Sequence, residues 1–240
     1  MGDWLLAPAH YERLLEGTIA TVQILGLSFA FGVVLSLLFG VARLSKRRWV
    51  RAAALVYVEF ARGISSVILL FIMVIAVPIL FGLRGASVML WGSIALGLNM
   101  GGYGAEIVRG AIQSVPRGQT EASIALNLSP TQRLRHVVLP QAMRIILPPM
   151  GNLTIEILKG TALVSVVAGF DLMRATQNLV STQLSVGVAG VTVLFVNVLL
   201  IYFALAQIIN GLFRLAERRL GQRFEERRGR RADAIPEVAL

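Results

Sequence analysis

Long apolar runs separated by short charged clusters set the pattern of this chain. Residues 18–42 carry no charged side chain, and a bilayer crossing takes about 20 such residues in a helix. Four more runs follow: 63–81, closed by Pro78; 88–108, with Glu106 near its end; 141–170, interrupted by Arg144, Glu156 and Lys159; and 186–213. The pattern predicts an all-α chain of about five transmembrane helices. Between the first two, residues 52–62 put Val56 and Phe60 on the oily side of an amphipathic helix. Such a segment suits the membrane interface, or the start of a longer, tilted second helix. No repeat with a period of 20–50 residues is visible.

Charge then orients the helices. The formal net charge of +10 would suggest a nucleic-acid partner in a soluble chain. At 56% hydrophobic and 15% charged residues this chain is instead a polytopic membrane protein, with no nucleic acid implied. Arg43, Lys46, Arg47, Arg48 and Arg51 follow the first run, and Arg109, Arg117, Arg133, Arg135 and Arg144 follow the third. Eight arginines between Arg214 and Arg231 follow the fifth. The alternate loops hold Arg13, Arg84 and Arg174. Excess Lys and Arg stay on the cytoplasmic side, so the N-terminus is expected outside and the C-terminus inside. The chain then divides into an extracytoplasmic segment 1–17 without a cleavable signal, a transmembrane domain 18–213, and a basic cytoplasmic tail 214–240 with a disordered end. There is no cysteine, hence no disulfide.

The internal loop 109–140 is expected in the cytoplasm. Residues 119–126 favour a helix, and Asn127 follows where a left-handed cap residue belongs. In Ser129-Pro130-Thr131-Gln132, serine suits the N-cap, proline the first helical position, and glutamine the reciprocal capping site. The second helix is expected to run to about Leu139 and to stop at Pro140. Two capped helices exceed what a simple connection needs, and Ala122, Ala125, Leu126 and Leu128 offer an apolar surface. The loop reads as a docking element.

These residues carry a resemblance. Glu121-Ala122-Ser123, Asn127, Val137 and Leu139-Pro140 are similar to the EAA loop of bacterial ABC importer permeases, with Ser123, Asn127 and Val137 departing from Ala, Gly and Ile. Asn127 keeps the left-handed tolerance that makes glycine useful there. Residues 14–220 resemble the polar amino acid permeases of the histidine, glutamine and arginine type. The shared segments are Glu59-Phe60-Ala61-Arg62-Gly63, Tyr103-Gly104-Ala105-Glu106-Ile107-Val108-Arg109-Gly110, Leu139-Pro140-Gln141-Ala142, Leu147-Pro148-Pro149 and Thr161-Ala162-Leu163-Val164-Ser165. Residues 125–129 and 155–162 look closest to ectoine and hydroxyectoine permeases.

The resemblance implies a type I ABC importer permease fold and an inner-membrane location. It implies as partners a second copy or related permease, a cytoplasmic ATPase dimer, an extracytoplasmic solute-binding protein, membrane lipid and a small polar solute. It assigns ATPase docking to Arg117, Gly118, Glu121, Ala122, Ser123, Ala125, Asn127, Leu128, Leu139 and Pro140. The chain lacks the G-x-x-x-x-G-K-[ST] phosphate loop, so ATP and Mg would be held by the partner and no cofactor by this chain. No catalytic constellation or metal cluster is visible, and His10 and His136 lie far apart; the chain reads as a non-enzyme.

Each candidate has a plainer reading. Glu121 would also suit the first turn of a helix through the dipole. Glu156 and Lys159, spaced i, i+3, can pair on one face. A lone charge at mid-membrane costs about 2.5–3.5 kcal/mol on insertion scales, so they should face protein or water, as helix glue or as a lining for a polar solute. Asn99, Asn152, Thr161 and Ser165 join the candidate pathway, although helix–helix hydrogen bonds would also explain them. Arg62, Gly63, Glu106 and Arg109 are read as structural or gating residues, with Glu106 and Arg109 bridging. Gly97 and Gly101 suggest close helix packing. The competing functions are an ATP-independent carrier or small channel, which usually shows inverted repeats, and a membrane anchor, which would leave Glu156 and Lys159 without a role.

Overall fold

The structure, a computed structural model, describes residues 8–83, 85–182 and 188–232. Arg84, the first seven residues and the last eight, where the sequence places a disordered tail, lie outside the described residues. No strand occurs among the described residues. Eight helices do: α1 (Pro8–Ala42), α2 (Arg48–Gly63), α3 (Ser66–Leu80), α4 (Val88–Ser114), α5 (Arg117–Ala125), α6 (Pro130–Val167), α7 (Leu172–Thr182) and α8 (Val188–Ala232). The five apolar runs correspond to α1, α3, α4, α6 and α8.

Of these, α1, α6 and the Gly190–Leu220 part of α8 are long and apolar enough to cross a membrane. The third run behaves differently. Glycines and Asn99 dilute the hydropathy of α4, yet it is the central helix, burying residues from Gly92 to Ala111. It needs small residues because its neighbours approach so closely.

The closest approach is to α1, on which Ser28, Gly32, Ser36 and Gly40 recur every fourth residue and are buried. That spacing keeps one helical face without bulky side chains, so the two backbones can come together. A Cβ placed at Gly32 would sit 2.8 Å from the Met100 side chain, and one at Gly40 would sit 2.8 Å from the Ala105 carbonyl oxygen. On α4, a Cβ at Gly97 would lie 3.0 Å from the Ser28 carbonyl oxygen, which bears out the close-packing reading of the Gly97–Gly101 pair. Around this seam Ile24, Leu96, Met100, Val108 and residues of α6 from Ala142 to Ile157 form the main apolar core.

Two prolines do not end their helices as the sequence suggests. Pro78 does not close the second run, and the helix starting at Pro130 does not stop at Pro140 but continues through α6 to Val167. A wider π turn lies two residues before each proline, at Ile72–Ala76 and at Leu134–Val138. There the Val77 and Leu139 amides donate five residues back, to Ile72 and Leu134. The shifted register absorbs the missing proline N–H and ring bulk, so the chain stays helical.

The alternative of one long tilted second helix is also corrected. α2 and α3 are separate helices, bent by 106° at Ile64–Ser65. Ile64 and Ser65 are extended, and α2 leaves Val56 and Phe60 exposed, as an interfacial helix would.

A matched pair of substitutions tests the seam. Gly40→Ala should lower the thermal midpoint of the detergent-solubilised protein, with about 1–3 kcal/mol lost to overpacking. Gly26→Ala, where a Cβ meets nothing within 4 Å, should be neutral within about 1 kcal/mol. Equal midpoints for the two variants would contradict a close α1–α4 approach.

Candidate functional site

The candidate docking loop is built by local capping. Pro116 precedes α5, so the helix starts two residues before the expected Gln119, and Glu121 sits in its second turn. There the helix dipole offers little, which weakens the plainer reading of that acid. Leu126 follows, and Asn127 takes φ 55°, the left-handed corner expected of it. The Ser129 hydroxyl accepts the Gln132 amide at 3.3 Å, while the Gln132 side chain accepts the Ser129 amide at 3.0 Å. Gln141 of α6 donates to the Gln119 side chain at 3.1 Å, fastening α5 across the corner.

Arg117, Gly118, Glu121, Ala122, Ala125 and Asn127 are exposed on this loop, joined by Ile124 and Leu126 at 52% and 72% exposure. Ser123 instead points inward, its hydroxyl donating to the Thr120 carbonyl at 2.6 Å. Leu128, Leu139 and Pro140 are half-buried.

A polar cleft of about 370 Å³ opens between the end of α2, α4 and α6, lined by Arg62, Tyr103, Glu106, Asn152 and Glu156 with Pro149 and Leu153. Its geometry starts with three bonds from α4 or α2 to backbone. Asn99 donates to the Ala61 carbonyl at 2.9 Å, Tyr57 to the Leu98 carbonyl at 2.9 Å, and Tyr103 to the Arg62 carbonyl at 3.3 Å. They hold the end of α2 against α4, and the Arg62 guanidinium lies 5.5 Å from the centre of the Tyr103 ring, in cation–π range. Arg62 makes no ion pair among the described residues, nor does Glu156. The cleft thus presents one cation and one carboxylate that make no ion pair among the described residues, with Arg62 in electrostatic reach of Glu106.

Glu106, which also lines the cleft, is held by two arginines, although its Oε1 makes no hydrogen bond among the described residues. Arg109 donates to it at 2.7 and 2.9 Å, as the i, i+3 spacing predicts, and Arg43 from the end of α1 approaches to 3.4 Å. Arg43 also lies 3.9 Å from Glu59 of α2. This cluster ties α1, α2 and α4 together below the cleft.

Of the remaining candidates, Glu156 and Asn152 line the cleft and Lys159, Thr161, Ser165, Asn99 and Gly63 do not. Glu156 and Lys159 form no ion pair, since both side chains are exposed and the carboxylate lines the cleft. Thr161 is buried and donates to the Leu158 carbonyl at 2.7 Å, and Ser165 donates to the Ala162 carbonyl at 2.7 Å. Both satisfy backbone within the last turns of α6. Asn99 binds backbone as described, and Gly63 is exposed at the α2–α3 bend. Tyr103 and Arg43 were not singled out as site residues; Tyr103 was visible three residues before Glu106, on the same helical face.

This bundle of apolar helices, with no strand among the described residues, has the type I ABC permease fold. The crystal structure of an amino acid ABC transporter with histidines matches it with a TM-score of 0.78 at 30% identity, covering 91% of this chain and 99% of that one. Residues 32–221 match the binding-protein-dependent transport system inner membrane component, and the chain belongs to that family. It is 40% identical over 206 residues, 84% of each chain, to a probable amino-acid ABC transporter permease protein of Sinorhizobium fredii. It is 33% identical to an L-cystine transport system permease protein of Bacillus subtilis, covering 90% of this chain and 91% of that one. It is 32% identical to the glutamine transport system permease protein of Escherichia coli, covering 91% and 97%. The chain is therefore the membrane component of a binding-protein-dependent ABC amino-acid importer, working with an ATPase and a binding protein, and is not itself an enzyme.

A second polar cluster was not legible. Asp171, just beyond the apolar helix that ends at Val167, is fully buried; one carboxylate oxygen accepts the Arg174 amide at 2.8 Å and caps α7. The other oxygen makes no hydrogen bond among the described residues. Thr21 of α1 accepts the Leu172 amide at 3.0 Å, so α1 and α7 are joined here. Burial pushes the Asp171 carboxyl up to about 6, against the amides that favour its charged form. Raised in the fold, this pKa makes the charged form costly. Stability should be greatest in acid, fall as pH rises from the ordinary carboxylate range to about 6, and stay level above it. Asp171→Asn keeps the cap, removes that fall and should gain about 3 kcal/mol at neutral pH. Midpoints measured across this range should decline for the parent protein and not for the variant; parallel curves would contradict the assignment.

Proposed function

We propose that the cleft is the passage for a zwitterionic solute: a polar amino acid, or a compatible solute of the ectoine type that carries the same pair of opposite charges. The observation that carries this reading is the Arg62 guanidinium and the Glu156 carboxylate, each without an ion pair among the described residues, lining one cavity. An amino acid brings a carboxylate for the first and an ammonium for the second. Charge-assisted hydrogen bonds of this kind are the strong ones, and the planar guanidinium suits a carboxylate. Glutamine and cystine, for which two relatives are named, both carry an α-ammonium and an α-carboxylate, so a site reading those two charges fits the family's range. The binding protein then sets the side chain selected.

Transport in this reading is driven by ATP hydrolysis in a dimer of ATPase subunits docked on α5, against exposed Glu121, Ala122 and Leu126. Two permease subunits pair around the passage, each with five spans, N-terminus outside and basic ends inside.

Two measurements test this. In proteoliposomes holding the complete importer, Arg62→Gln and Glu156→Gln should each reduce initial amino-acid uptake about 10- to 100-fold, the loss expected for one charge-assisted bond. Lys159→Met, outside the cleft, should transport normally; unchanged uptake in both cleft variants would remove the passage from this cavity. Separately, Glu121→Lys should leave membrane insertion intact yet strip the ATPase from purified complexes. Full co-purification would exclude α5 as the docking helix.

A further inference from the structure

A second cavity, of about 740 Å³, lies at the basic end of α1, on the other side of the docking loop from α5's exposed face. Its walls are of two kinds. Leu38 and Val41 from α1, Leu44 from the turn after it, Val50 from α2 and Ile112 from α4 form an aliphatic wall. Opposite, Thr131 and Arg133 from the first turn of α6 bring hydroxyl and guanidinium, with Ser45 at the turn.

Arg133 is half-buried, and its Nε makes no hydrogen bond. One terminal nitrogen reaches the Leu128 carbonyl at 3.4 Å, and no ion pair forms among the described residues. A buried guanidinium edge without a partner is costly, which points to an anionic group missing from its surroundings. The rim supports this. Lys46, Arg47 and Arg48 are exposed and make no ion pair among the described residues, and Trp49 is 69% exposed beside them. Basic residues and an exposed tryptophan flanking an amphipathic helix mark the level of lipid headgroups.

From this juxtaposition of an aliphatic wall and an unsatisfied guanidinium at headgroup depth, we propose that the cavity binds one anionic phospholipid. An acyl chain lies along Leu38, Val41 and Val50, and the phosphate meets Arg133 with Ser45 and Thr131. The net negative headgroup is favoured by the basic rim, since each Lys or Arg near an anionic surface strengthens attraction several-fold. An acidic side chain from the ATPase would answer Arg133 but leave the aliphatic wall uncovered; Leu38, 59% exposed, belongs to the membrane helix itself. Because Thr131 and Arg133 open the helix that follows the docking corner, a bound lipid braces that corner against α1.

Native mass spectrometry of the detergent-solubilised importer, titrated with phosphatidylglycerol or phosphatidylcholine, tests this. The parent complex should retain phosphatidylglycerol in preference to phosphatidylcholine. Arg133→Gln should weaken retention at least about fivefold. Val50→Trp, which fills the wall and leaves every charge in place, should do the same. Inorganic phosphate should not displace the lipid. Retention at the parent's level by either variant, or displacement by phosphate alone, would overturn the proposal. So would loss of the lipid on adding the ATPase subunit to the isolated permease, together with failure of Arg133→Gln to co-purify it, since that places an acidic ATPase residue in the cavity.

Discussion

Everything in this bundle is arranged around the near-contact of α1 and α4. In lipid, two helices gain no hydrophobic advantage from meeting, so their association depends on backbones coming close enough for dense van der Waals packing. Ser28, Gly32, Ser36 and Gly40 make that approach possible, and α4 answers with Gly97, Gly101 and Gly104. Once α4 is held in the middle, its other faces receive α2 and α6. The cleft exists where those two fail to close over Tyr103 and Glu106.

Positions in the site inherit their precision from backbone hydrogen bonds made at that centre. Asn99 and Tyr103 spend their polar groups on the Ala61 and Arg62 carbonyls, and so place the Arg62 side chain. Glu106, drawn into the cluster of Arg43 and Arg109, is neutralised locally. That leaves Arg62 and Glu156 as the cleft charges without an ion pair among the described residues. The supporting residues Asn99, Tyr103 and Glu106 share one stretch of α4, whereas the two charges they leave over come from α2 and α6.

Much of this was legible along the chain, and the limits have physical causes. Local signals translated well: the Ser129–Gln132 capping box and the left-handed Asn127 appear as read, because their partners lie within four residues. The Glu106–Arg109 bridge is likewise a matter of one helical turn. Prolines misled, since a proline stops a helix only when the register cannot shift, and the π turns before Pro78 and Pro140 are invisible in composition. Glu156 and Lys159 share spacing that permits pairing, but tertiary surroundings turned only the acid toward the cleft. The meeting of Asp171 with Thr21 joins residues far apart in sequence and has no local signature.

The continuity of α6 past Pro140 has a mechanical meaning. One uninterrupted helix leads from the docking corner to the cleft, and Glu156 stands roughly 24 Å beyond Pro140 at 1.5 Å per residue. A push or twist applied at Thr131 therefore reaches the cleft as rigid-body motion of a rod rather than as a relay of side-chain rearrangements. The π turn at Leu134–Val138 is the compliant joint of that rod, the place where torque is either stored or passed on. Turning the rod about its own axis would change the distance from the Glu156 carboxylate to the Arg62 guanidinium, so a rotation at the far end of α6 would be enough to reset the spacing of the two unpaired charges that line the cleft.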